Sequence, residues 1–316
     1  MRLPFRPAGL LALALLVPAC GKKSAPPLSA ATPEEAPAAP APAAANTPPA
    51  SAGYVLVKKG LLPAPGTVRT DKLNYEQPES ALAVKRDFKT MKGSSTRKTA
   101  STEVIEGLAP GKARRTLTSM TNEERTTYNG QEDIKPDKGD PLQGVPVILE
   151  YKDGTWTAEL ESGTPDSGQQ VALKELLDGY KSETDLVIFG ETPRKPGEKW
   201  VVDASKVERF CGATGLEGPF SVEFLKVADV NGVPCAVLKT TFNISGKPVG
   251  TGDEAKSWKL SFKGNSLIHR SLTDLTDFES KIDCNYTMDG SPGGRGVTMS
   301  IDGPLTIQTL STLSQK

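Results

Sequence analysis

Along most of the chain, apolar and polar residues alternate with a period of two, the mark of strands that bury one face. Val147, Leu149 and Tyr151 alternate with Ile148 and Glu150, and after Asp153-Gly154 the alternation resumes in Trp156, Ala158 and Leu160. Asp-Gly between two alternating runs predicts a tight hairpin. Residues 220–227, the turn Asn231-Gly232 and the return at 234–244 predict a second one. In 257–263, Trp258, Leu260 and Phe262 share a face, and Gly264-Asn265 reads as a turn into 266–272. Residues 278–288 and 297–310 are expected to complete the C-terminal sheet around a loop at 289–294. In the N-terminal half, long Thr-rich strands are predicted at 68–75, 80–91, 94–105 and 113–128, punctuated at Gly93, Pro110-Gly111 and Asn129-Gly130.

One stretch changes period. Leu173, Leu176, Leu177 and Tyr180 recur at i, i+3, i+4 and i+7, which predicts an amphipathic helix capped by Asp166 or Ser167. A second short helix is expected near 204–210. The expected fold class is therefore mainly β. Long antiparallel strands form one or two large curved sheets, as a half-barrel or a sandwich, with a central helix packed on the sheet. Residues 53–316 form this domain, in two halves joined by a helical segment near 165–210. Trp156, Leu173, Leu176, Leu177, Tyr180 and Trp258 are candidates to line an apolar groove between sheet and helix, although alternation favours the sheet core for the tryptophans.

The first twenty residues carry an address. Arg2 and Arg6 precede an apolar run at 9–17 that is too short to span a bilayer, which needs roughly 20 residues. Val17-Pro18-Ala19-Cys20 resembles the lipobox of bacterial lipoproteins. That resemblance implies removal of residues 1–19 and a diacylglyceryl group on Cys20, which anchors the chain to a membrane. Gly21 in place of Asp implies the outer membrane over the inner. Residues 20–52 would then be the lipidated cysteine and its tether: of the 29 residues in 24–52, 12 are Ala and 8 are Pro. Such a segment buries nothing and is expected to be disordered, with a reach of roughly 90 Å if extended.

Charge narrows the partners. Basic and acidic residues both number 38, so no basic excess marks a nucleic-acid surface. Candidate chemistry is sparse. His269 is the one histidine, and Cys211, Cys235 and Cys284 are the three cysteines beyond Cys20. An oxidising envelope makes a disulfide among these three the first expectation, with Cys211 favoured as one partner and the pairing open. No close Cys-x-x-Cys pair or His-Glu-x-x-His points to a metal, and no cofactor loop is present. Gly-x-Ser-x-Gly is missing as well, so no catalytic residues can be named.

The expectation is a lipid-anchored cell-envelope protein without catalysis, a binding or structural module whose partners are the membrane and a hydrophobic ligand or envelope protein. The alternatives are a periplasmic carrier of lipid or lipoprotein acyl chains, an architecture to which the predicted strands and helix look similar, and, less favoured, a hydrolase built on carboxylates.

Overall fold

The computed structural model describes residues 53–86, 89–249, 257–291 and 296–316. Cys20 and the segments expected as leader and tether lie outside them, as do residues 292–294 of the loop expected at 289–294; Asp289 and Gly290 belong instead to the strand before it. The N-terminal half contributes β1 (Thr67–Arg86), β2 (Lys89–Ala109), β3 (Lys112–Tyr128), β4 (Gln131–Lys135), β5 (Val147–Lys152) and β6 (Thr155–Leu160). Two helices follow, α1 (Ser167–Lys181) and α2 (Thr184–Phe189). The C-terminal half contributes β7 (Lys199–Val201), β8 (Ala213–Glu217), β9 (Phe220–Val230), β10 (Val233–Pro248), β11 (Trp258–Ser271), β12 (Asp277–Gly290) and β13 (Val297–Gln315).

All thirteen strands join one open antiparallel sheet, ordered β6-β5-β3-β2-β1-β13-β12-β11-β10-β9-β7, with β4 on β3 and β8 on β10. Neighbours along this path are mostly neighbours in sequence. The exception that matters is β1 with β13, which pair from Thr67↔Gln315 to Arg86↔Val297 and close the two halves into one sheet. The choice between one sheet and two is thereby settled as one.

Both predicted tight hairpins form. Asp153 and Gly154 take φ of 50° and 78° between β5 and β6, and Asn231 and Gly232 take 54° and 82° between β9 and β10, the left-handed pairs that match strand twist. Gly264-Asn265 does not turn. β11 runs straight through it, with Trp258, Leu260, Phe262, Ser266, Ile268 and Arg270 all buried in one unbroken phase. Gly264 lies between Phe242 and Cys284, and an added Cβ would collide with the Asp283 carbonyl and with Cys284. Close approach of neighbouring strands, not reversal, is why glycine stands there.

Gly93 is the same case. It sits inside β2 between Leu82 and Tyr128, and the reversal falls between Arg86 and Lys89 instead. The gap expected after Tyr75 is a bulge within β1. Pro78 has no N–H to offer the ladder, and the register shifts between Glu76 and Ala81 on one side and between Gln77 and Ser80 on the other.

α1 begins where its cap predicts. Asp166 Oδ1 accepts from the Gln169 amide at 2.8 Å, and the Asp166 amide donates back to Gln169 Oε1 at 3.1 Å, a capping box. The helix expected near 204–210 is only a 3-10 turn, Ala204–Lys206, which Asp203 caps. An unforeseen helix, α2, lies just after α1. Its Thr-Asp-Leu-Val-Ile-Phe run has the composition of a strand. Burial of Ile188 and Phe189 overrides that preference.

The buried apolar residues fall into two clusters on one face of the sheet. The larger spans β1 and β9–β13 and takes in Leu56, Val57, Ile188, Phe189 and Phe210 from the covering segments. The smaller joins β5, β6 and α1. Between them β2 and β3 present buried polar residues, Thr99, Ser101, Glu103 and Arg115.

A substitution separates strand from turn at residue 264. Gly264→Asn suits a left-handed turn but forces a side chain between β10 and β12. It is expected to cost about 1–3 kcal/mol by overpacking, read as a lower urea midpoint at unchanged slope. A neutral Gly264→Asn would restore the turn.

Candidate functional site

Before β1, the chain crosses the covered face of the sheet as a strap. Tyr54 and Arg194 exchange backbone hydrogen bonds of 2.7 and 2.8 Å. Leu56 and Val57 then sink into the larger cluster. Gly60 lies so close to the Tyr151 ring that a Cβ would enter it, and the Gly66 amide donates to the Gly107 carbonyl at 3.0 Å. The strap thus reaches from the C-terminal half to β5 and β2 in the N-terminal half.

Beneath it is a pocket of about 90 Å³. Its floor straddles the junction of the two halves, with Arg69 and Asp71 from β1, Thr309 and Ser311 from β13 and Ser280 from β12. Register sets these side chains on neighbouring rungs, Asp71 opposite Ser311 and Thr309 opposite Ser280. The strap residues Val57 to Leu61 form the roof, and Glu183, Asp185, Arg270, Thr276 and Asp277 line the walls.

Arg270 is the pin that holds roof to floor. It is 2 % exposed, and its guanidinium donates to the Leu56 carbonyl at 2.6 Å, to Asp277 at 2.8 Å and to Asp185 at 3.0 Å. The same group lies 4.5 Å over the Phe189 ring. One side chain of β11 therefore gathers the strap, α2 and β12. On the floor, Arg69 Nε donates to Asp71 Oδ2 at 3.0 Å. Burial pushes the Asp71 carboxyl above the usual carboxylate range, and Arg69 offsets this only in part. Glu103 and Arg115 form a second buried pair further along the inner face.

Three atoms of the floor are buried without a hydrogen-bond partner among the described residues: Asp71 Oδ1, Ser280 Oγ and Thr309 Oγ1. Each would ordinarily cost about 1–3 kcal/mol if left unsatisfied, so unmet hydrogen-bonding demand is concentrated beside the pocket. None of these residues was singled out in the sequence. A signal existed: Asp71 and Arg270 are charged residues in phase with the buried positions of their strands, Leu73 and Tyr75 in one case and Phe262 and Ile268 in the other.

The candidate groove residues divide. Trp156, Leu173, Leu176, Leu177 and Tyr180 meet in the smaller cluster, where the Trp156 ring lies 4.8 Å from Tyr180 and 4.9 Å from Tyr151. Trp258 belongs to the larger cluster and packs on Gly290. The three cysteines are buried and free, so the expected disulfide is not formed. Cys235 stands opposite Ser271 and Cys284 opposite Gly264, seven residues apart along β11. That is roughly 20 Å, well beyond the ~7 Å a disulfide can bridge. Cys211 shares the larger apolar cluster with Cys284, and both remain thiols. Burial raises all three thiols, Cys235 to about 11 and Cys284 to about 12. His269 lies on β11 with Nδ1 3.6 Å from Glu279.

Two outcomes follow from this geometry. Iodoacetamide at pH 8 should leave all three thiols of the folded domain unmodified, and should label all three after unfolding without reductant. A mass showing only one alkylated thiol would reveal a disulfide. Arg270→Ala should lower stability by about 3–5 kcal/mol, because Asp185, Asp277 and the Leu56 carbonyl all lose the buried guanidinium that joins them. Chemical denaturation measures it, and a midpoint equal to wild type would mean that Arg270 does not hold the strap.

No family model matches the chain. No curated protein matches it either. Among solved structures it is similar to lipovitellin, described for its lipid–protein interactions, at 10 % identity over 79 % of this chain, with a TM-score of 0.40. The match spans about a quarter of that protein, 26 % of its length. A DUF1329 family protein from Desulfovibrio piger matches at 10 % identity, over 77 % of this chain and 85 % of the other, with a TM-score of 0.15. An outer membrane lipoprotein-sorting protein domain from Vibrio parahaemolyticus matches at 8 % identity, over 75 % and 83 %, with a TM-score of 0.14. At these scores the likenesses carry no argument about activity.

Proposed function

We propose that this chain is a lipid-anchored cell-envelope protein whose β domain is a non-catalytic binding module, with the pocket on the β1–β13 junction as its binding site. The observation that carries the binding role is the set of buried, unpartnered polar atoms on the pocket floor, Asp71 Oδ1, Ser280 Oγ and Thr309 Oγ1. A pocket kept only for packing would be lined by apolar groups, which fill space without a desolvation penalty. The carboxylates around it suit binding better than hydrolysis. Asp185 and Asp277 are tied to Arg270 and Asp71 to Arg69, which leaves Glu183 as the one lining carboxylate not engaged with these two arginines, and a single carboxylate does not make an acid–base pair.

Anchoring rests on the lipobox at Cys20, with Gly21 favouring the outer membrane. It suits the position of the strap, which leads from the pocket roof directly back towards the tether. Carriage of acyl chains is the second function to weigh, favoured by the length of the apolar face from Trp258 across to Leu73. In the described residues that face is occupied by its own side chains, so a carrier would have to open it.

Intact-mass spectrometry of the protein from its native membrane, under mild and then denaturing conditions, tests both. The expected mass is that of the chain from Cys20 with an acylated cysteine, and Cys20→Ser should release the domain as a soluble product. Lipid lost only on denaturation would move the function to carriage. An unacylated native protein would end the anchor.

A further inference from the structure

We propose that the pocket on the β1–β13 junction takes the vicinal-diol edge of a neutral saccharide or polyol, an inference that rests on the pocket being the binding site. The first argument is charge. Four basic side chains, Lys58, Lys59, Arg69 and Arg270, and four acidic ones, Asp71, Glu183, Asp185 and Asp277, line it together. Arg270 is consumed by Asp185, Asp277 and the Leu56 carbonyl. A lining balanced in this way offers no net field to select an anion or a cation.

The second argument is the kind of hydrogen bond left open. Ser280 is 1 % exposed, lines the pocket, and its hydroxyl has no partner. Asp71 Oδ1 has no hydrogen bond of normal geometry, with the Ser311 hydroxyl as the one donor group facing the same carboxyl. Beside it, Arg69 donates through Nε to Asp71 Oδ2, and its terminal N–H groups are the further donors that this side chain brings to the lining. Thr309 adds a hydroxyl on the rung shared with Ser280. A phosphate or carboxylate would satisfy Arg69 but would set its oxygens against Asp71. An ammonium would satisfy Asp71 but would face Arg69. Adjacent hydroxyls meet both demands: one donates to Asp71 Oδ1 while its neighbour accepts from Arg69, and Ser280 and Thr309 complete the ring of partners.

The third argument is size. The pocket's volume of about 90 Å³ is several times the roughly 10–15 Å³ that one ordered water needs on the same measure. It therefore has room for several hydroxyls of one sugar ring, with Lys58 and Lys59 in its lining.

The test is isothermal titration calorimetry with saturation-transfer NMR on the full mature chain. The probes are methyl α-glucopyranoside, methyl N-acetylglucosaminide, glycerol and inorganic phosphate. Saturable binding of at least one saccharide or of glycerol is expected in the millimolar range, with phosphate silent. Asp71→Asn keeps an acceptor for Arg69 and Ser280→Ala removes one hydroxyl. Each is expected to weaken binding about tenfold, the loss of one buried hydrogen bond. Thr309→Val serves if either variant fails to fold. Phosphate binding that the variants abolish, with saccharides silent, would overturn the diol and leave the pocket as a site of another class. Saccharide binding indifferent to all the variants would place the sugar elsewhere and overturn the inference. Silence from every probe would overturn the inference and the binding role of the pocket together.

Discussion

The ladder between β1 and β13 is the interaction on which the rest of this molecule depends. Every other long pairing joins strands close in sequence, and these could form two separate sheets, β1 to β6 and β7 to β13. Pairing the first long strand with the last fuses them. It carries the inner face unbroken from Val84 and Met299 at one end to Arg69 and Leu313 at the other. The entropy of closing so long a loop is offset only once the apolar residues of both strands are buried. Leu73, Tyr75, Leu82, Ile301, Leu305 and Ile307 supply that burial, each at 5 % exposure or less.

The pocket is a product of the same ladder. Asp71 and Ser311, and Thr309 with Ser280, share its floor only because β1, β13 and β12 lie in register. Arg270 then closes it from above. A guanidinium so buried is stable only with its charge and its N–H groups answered, and the three answers come from three separate elements. The strap, α2 and β12 are held to β11 by a group that none of them could leave without exposing a buried charge. Positioning of the roof is therefore coupled to the sheet by electrostatics, while the walls of the larger cluster are held by packing.

How much of this the sequence made legible depends on range. Asp153-Gly154 and Asn231-Gly232 state their turns locally, because left-handed φ pairs demand those residues, and the capping box at Asp166 and Gln169 states a helix start. Gly264 and Gly93 misled for the complementary reason. Glycine at a turn and glycine under a neighbouring strand look alike until the neighbour is known, and the neighbours of Gly264 are 22 residues back at Phe242 and 20 residues on at Cys284. The phase of β11 did carry the answer, since Trp258, Phe262, Ile268 and Arg270 keep one parity across the glycine. The groove residues divided for a similar reason. Trp156 and Tyr180 belong to one local unit, β5–β6 with α1, whereas Trp258 reads the same by pattern yet sits on the far side of the junction.

Polar residues on the junction are the part that stability alone does not explain. The inner face is apolar beyond it towards β11 and β10 but stays polar across β2 and β3, where Glu103 faces Asp71 directly, and replacing a buried ion pair by well-packed apolar groups is commonly neutral or stabilising. Here burial outweighs the pull of Arg69 and raises the Asp71 carboxyl, whereas on Arg69 burial is outweighed by the pull of Asp71 and its neighbours, which holds the guanidinium charged. The sign is clear. A carboxyl whose folded value is raised binds its proton more tightly folded than unfolded, so its contribution grows as pH falls through that raised value and is lost above it. At neutral pH the ionised Asp71 carboxylate therefore opposes folding at this ladder, and the firmly charged Arg69 offsets it. A fold that keeps Asp71, Ser280 and Thr309 at that place, when Leu and Val would hold the strands more firmly, trades stability for a polar recess. That trade is the reason the binding role is proposed for this recess and not for the apolar clusters beside it.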